Sequence, residues 1–75
     1  MFFFFFKILE IEKNSTQQEI KTAFRKQAIK WHPDKNPDMD VNEKMQLINE
    51  AYLILKDEEA RYHYDIEYAK FYNFY

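Results

Sequence analysis

The sequence of 75 residues contains no glycine, no cysteine and only two prolines. Without cysteine, neither a disulfide nor a cysteine-ligated zinc ion can hold the fold, so stability must come from packed apolar side chains. Without glycine, two-residue hairpin turns that require positive φ lack their favoured residue, which argues against a chain built from β-hairpins. No apolar run is long enough to span a bilayer. The opening stretch Met1-Phe-Phe-Phe-Phe-Phe6 stops at Lys7 and lacks both the basic flank and the small-residue cleavage site of a secretory signal. These absences lead to the expectation of a soluble, cytoplasmic module. Length allows one domain covering residues 1–75, expected to be a monomer.

What is present can build a helical core. Hydrophobic residues make up 47% of the chain and aromatics 20%, enough to fill the interior of a small domain. Lys, Glu, Gln, Ala and Ile recur over long periodic stretches and favour helix, so the fold class expected is all-α. The formal net charge of −2 conceals an asymmetry. Between positions 21 and 35 stand Lys21, Arg25, Lys26, Lys30 and Lys35 against Asp34, whereas the chain turns acidic from Asp38 onward. A basic strip on an otherwise acidic chain suits an oriented encounter with a negatively charged partner surface.

Periodicity places four helices. Phe5, Ile8 and Leu9 mark a first helix of about two turns ending near Ile11. Thr16-Gln-Gln-Glu19 matches a capping box and opens a second helix, whose inner stripe is Ile20, Ala23, Phe24, Ala28 and Trp31. At 100° per residue, Lys21 with Arg25 and Lys26 with Lys30 flank its outward arc, predicting a wholly basic exposed face. Pro33 disfavours helical geometry at His32, so this helix should end at Trp31 or His32. A loop stiffened by Pro33 and Pro37 follows. Asp40 is the predicted cap of a third helix carrying Val41, Met45, Ile48, Ala51, Tyr52 and Leu55 at steps of three and four. Helices two and three then form an antiparallel hairpin. Asp57, Glu58 and Glu59 suit the positive end of a fourth helix bearing Tyr64, Tyr68, Phe71, Tyr72 and Tyr75. The expected core is Leu9, Ile20, Ala23, Ala28, Trp31, Met45, Ile48, Ala51, Tyr52 and Leu55.

Taken in order, Lys7-Ile-Leu9, Ile20-Lys-x-Ala-Phe24-Arg-Lys, Trp31-His-Pro-Asp-Lys-Asn36, Ile48-Asn-Glu-Ala-Tyr52-x-x-Leu55 and Arg61-x-x-Tyr64-Asp65 resemble the J-domain of the DnaJ co-chaperone family. The resemblance covers about residues 5–66, leaving 67–75 as an aromatic helical extension. It implies a four-helix domain whose central hairpin is joined by the His-Pro-Asp loop. It also implies a partner, a DnaK-type ATPase chaperone whose ATP hydrolysis is stimulated through His32, Pro33 and Asp34, with no cofactor. The basic face of helix two, mapped here to Lys21, Arg25 and Lys26, is implied to dock on that partner, with Lys30, Lys35, Asn36 and Phe24 as neighbours. Glu10 stands where the family usually has glycine, Gln27 where leucine is common, and Phe5 and Phe6 where tyrosines are usual. The first two should alter local stability, while the aromatic changes keep packing and lose hydroxyls.

The tripeptide could simply end a helix, but the flanking pattern favours a functional loop. His32 with Asp34 lacks a nucleophile such as cysteine and a glycine-rich oxyanion loop, so enzymatic catalysis is not expected. His32 and His63 lie on different elements and no cysteine accompanies them, so no metal site is expected. The rival function is nucleic-acid binding through the basic helix, in the manner of helix-turn-helix proteins. The sequence pI of about 5.6 and the acidic fourth helix speak against it. Tyr64 and Tyr68 are expected in the core, whereas Phe71, Tyr72, Phe74 and Tyr75 exceed what so small a core needs and could form an exposed patch.

Overall fold

A computed structural model describes residues 4–74, with side chains through Lys70. It contains α1 (Phe5–Leu9), α2 (Gln17–Lys30), α3 (Asn42–Leu55) and α4 (Glu58–Phe74), and a 3-10 turn at Pro33–Lys35. No strand occurs among the described residues. No described helix is long and apolar enough to cross a membrane.

α1 ends earlier than periodicity suggested. Glu10 takes up left-handed geometry, φ 59° and ψ 46°, and reverses the chain. Its amide donates to the Lys7 carbonyl at 3.0 Å and the Ile11 amide to the Phe6 carbonyl at 2.9 Å, the paired bonds of a Schellman stop. Ile11 therefore leaves the helix and packs against the core from outside it. This left-handed position explains why glycine is the fitting residue there, since a Cβ atom makes the region costly.

α2 starts as its capping box predicts. The Thr16 hydroxyl accepts from the Glu19 amide at 3.1 Å and the Glu19 carboxylate accepts from the Thr16 amide at 2.8 Å. The backbone bond from Thr16, then its hydroxyl contact, hold the Glu19 carboxyl below its ordinary pKa. α3 differs in detail. Its capping position is Val41, a buried residue, and Asp40 stands one place further out while still accepting from the Asn42 amide at 3.0 Å. At α4, Asp57 Oδ1 accepts from the amides of Glu59 and Ala60 at 2.9 and 3.1 Å.

Three contacts fix α2 and α3 as antiparallel. At the start of α2, Gln17 Nε2 donates to the Leu55 carbonyl at the end of α3. Phe24 stacks on Tyr52 with centroids 4.2 Å apart, and Lys44 near the start of α3 lies 5.1 Å from the ring of Trp31. α1 packs on both hairpin helices, and α4 packs on α3.

Leu9, Ile20, Ala23, Ile48, Ala51 and Leu55 are buried, as the periodicity predicted. Ala28, Trp31, Met45 and Tyr52 are only half-buried. The end of α1 meets α2 at Gln27, which bonds to Glu10, and Trp31 lies one turn further on, at the C-terminal cap of α2. Tyr52 and Met45 pack on the core from its edge. The interior is completed by Phe5, Phe6 and Tyr64. Phe5 stacks on Tyr64 at 5.0 Å, and Phe6 meets Tyr64 and Tyr68 edge-on at 5.6 and 5.9 Å. The Tyr64 hydroxyl accepts from the Phe5 amide at 2.9 Å, tying the first helix to the last. Arg61 closes the other side: Nη2 donates to the carbonyls of Lys13 and Ser15, Nε lies 4.0 Å from Asp65, and the guanidinium sits 5.8 Å from the Phe6 ring. α4 is thereby clamped to the connector before α2. α4 runs on to Phe74. The side chains of Phe71, Tyr72 and Phe74, and Phe2, Phe3 and Tyr75 altogether, lie outside the described residues.

Candidate functional site

The loop after α2 is held by local bonds that its own sequence supplies. His32 is extended, φ −64° and ψ 137°, as a residue before proline prefers, and Pro33 occupies the first position of the 3-10 turn. His32 Nδ1 accepts from the Asp34 amide at 3.1 Å, which requires that nitrogen to be unprotonated. Asn36 Nδ2 donates to the carbonyls of Lys30 and His32 at 3.0 and 2.9 Å, clasping the turn to the end of α2. The amides of Lys35 and Asn36 bond back to His32 and Pro33.

This scaffold leaves His32, Pro33, Asp34 and Lys35 exposed. The Asp34 side chain is 91% exposed, and His32 Nδ1 lies 3.8 Å from its Oδ2. A shallow depression lined by Ala28, Ile29, His32, Asp34 and Lys35 adjoins it. The arrangement suits reception of a cationic or hydrogen-bond-donating group from another molecule.

Lys21, Arg25, Lys26 and Lys30 are all exposed on α2, and Lys35 is exposed on the loop. The face is not wholly basic, however. Thr22 and Ile29 lie between the two basic flanks, and Ile29 is 55% exposed. Ile29 escaped the sequence reading because it falls outside the apolar stripe; its position off that stripe, beside the tripeptide, was the available signal. Phe24 differs from the other candidates: its half-buried ring stacks on Tyr52 within the hairpin. Lys44, on α3, adds a cation over Trp31 that periodicity alone did not join to this surface. His63 is exposed on α4, edge-on to Tyr62 and remote in sequence from the loop.

An acidic residue also reaches the basic helix. Glu10 Oε2 accepts from Gln27 Nε2 and lies 3.8 Å from Lys30 Nζ. The Gln27 bond first, then the charges of Lys30, Lys26 and Lys44, hold the Glu10 carboxyl below its usual pKa. Gln27 itself is 1% exposed, and its Oε1 has no hydrogen-bond partner among the described residues.

The DnaJ domain family model matches residues 4–65. The chain is 54% identical over 61 residues to a chaperone protein DnaJ of Mycoplasmoides gallisepticum, a match covering 81% of this chain and 16% of that protein. It is 51% identical over 67 residues to the chaperone protein DnaJ of Nitratiruptor sp., covering 88% of this chain and 18% of the relative. A Helicobacter pylori chaperone protein DnaJ is 52% identical over 62 residues, covering 81% and 17%. The chain thus spans about one-sixth of the length of the curated relatives it matches.

Proposed function

This chain belongs to the DnaJ domain family, and from that premise we propose that it is a co-chaperone module that docks on a DnaK-type ATPase chaperone and stimulates its ATP hydrolysis. The observation that carries the proposal is the presentation of Asp34, 91% exposed at the tip of a loop braced by Pro33, His32 Nδ1 and the Asn36 clasp. The cations of α2 steer and orient an acidic partner surface, and the fixed carboxylate then engages a donor on that surface. A preorganised acceptor loses little conformational entropy on binding, which is the advantage of a stiff loop over a mobile one. Stimulation follows if this docking surface binds the hydrolysis-competent state of the chaperone more tightly than the other state. In this reading the module contributes contacts, and the reacting groups belong to the partner.

The test is single-turnover ATP hydrolysis by a DnaK-type chaperone with the parent chain and with Asp34→Asn, each at low and high salt. The expected result is stimulation by the parent that weakens with salt and is lost in the variant. Absence of stimulation by the folded parent chain across several such chaperones overturns the proposal and directs attention to duplex DNA binding by α2.

A further inference from the structure

The departure from family pattern at Glu10 places a carboxylate against the surface assigned above to partner docking. Its backbone lies in the left-handed region at φ 59°, where a Cβ atom is disfavoured, so glycine would relieve the backbone. The side chain at this costly position extends to α2, where it accepts from Gln27 and meets Lys30 at 3.8 Å. Both Glu10 and Lys30 remain more than half exposed, so an approaching anion can compete for the same ammonium group. On the other flank, Lys21 and Arg25 form no ion pair among the described residues. The basic face is therefore divided into an open flank and one already in contact with an internal carboxylate.

Resting on the proposed function, we infer that Glu10 is an intramolecular competitor for the partner's acidic groups at Lys30, weakening that end of the docking surface and weighting recognition toward Lys21 and Arg25. The lowered Glu10 pKa agrees, because after the Gln27 hydrogen bond the charge of Lys30 is its next cause. A purely structural role for Glu10 makes a different prediction. The bond from Gln27 needs only an acceptor oxygen, which glutamine also provides, whereas attraction to Lys30 needs the negative charge. Glu10→Gln therefore removes the competitor while keeping the side-chain length, an acceptor for Gln27 and the same backbone burden.

The experiment measures stimulation of a DnaK-type chaperone against concentration of the full chain, for the parent, Glu10→Gln, Lys30→Gln and the double variant, at low and high salt. Glu10→Gln is expected to lower the half-stimulating concentration about 1.5- to 5-fold at low salt, the range of one exposed ion pair, with maximal stimulation unchanged. That gain shrinks at high salt. Lys30→Gln is expected to raise the half-stimulating concentration by a larger factor in the Glu10→Gln background than in the parent. An unchanged or raised half-stimulating concentration for Glu10→Gln overturns the inference, as does an equal effect of Lys30→Gln in both backgrounds or a gain insensitive to salt. Failure of the parent to stimulate overturns the proposed function and this inference together, so the two failures are distinguishable.

Discussion

Glu10, at the end of α1, and Gln27, in α2, are two of the residues at which the chain departs from the resembled pattern, and they meet each other across the helix interface. Neither suits its site alone: Glu10 holds positive φ, and Gln27 is a buried amide whose Oε1 lacks a partner among the described residues. A buried polar atom without a hydrogen bond costs about 1–3 kcal/mol, while a leucine of similar size at the same point removes both the amide and its requirement. Gln27→Leu is therefore expected to stabilise the domain by about 1 kcal/mol, read as a higher midpoint in urea with an unchanged slope. Glu10 in that variant keeps its exposed contact with Lys30, so little is lost on its side. A lower midpoint would show that the amide bond to Glu10 outweighs the unpartnered oxygen. Sequence made both residues visible as departures, yet gave no means of pairing them, because positions 10 and 27 are joined only once α1 is docked on α2.

At the scale of elements, caps and periodicity carried most of the fold. The Thr16 box placed the start of α2, and Pro33 placed its end, because both act through neighbouring backbone groups. Burial was less legible. Phe6 and Val41 are buried although the core was sought elsewhere, and Trp31 and Tyr52 are half-exposed although they fit the apolar stripe. Stripe position states which side of a helix faces its neighbours, but depth depends on what covers it, and a five-residue α1 covers only part of α2. The tie between first and last helices was equally hidden, since it joins residues 59 positions apart. It makes a prediction at this scale. Tyr64→Phe keeps the ring stacked on Phe5 but removes the hydroxyl that accepts the Phe5 amide, and should cost about 0.5–1.5 kcal/mol. Ile48→Ala, at a fully buried site in the centre of α3, should cost about 2–5 kcal/mol through lost packing and the cavity left behind. Denaturant unfolding of the two variants ranks them, and a larger loss for Tyr64→Phe would mean that the α1–α4 tie governs cooperativity more than the hairpin core.

Across the whole molecule, charge and shape separate two tasks that the proposed function requires. The cations of α2 lie along a helix of 14 residues, about 21 Å long, whereas Asp34 projects from its far end. Opposite charge spread along a surface acts during approach and is screened over about 10 Å at 0.1 M salt, while a single held carboxylate acts only after contact. Arg25→Glu and Asp34→Asn should accordingly fail in different ways. Arg25 is exposed and forms no ion pair among the described residues, so its reversal leaves the fold's internal bonds in place. It is expected to raise the half-stimulating concentration roughly tenfold at low salt by turning attraction into repulsion, an effect that diminishes as salt rises, with maximal stimulation approached at high concentration. Asp34→Asn should instead depress the maximum at every concentration, because the loop still docks but no longer offers a charged acceptor. Titrations of ATP hydrolysis with each variant at two ionic strengths read both parameters. If Arg25→Glu lowers the maximum while leaving the half-stimulating concentration unchanged, α2 takes part in the activating step itself, and the division between a steering helix and an activating loop does not hold.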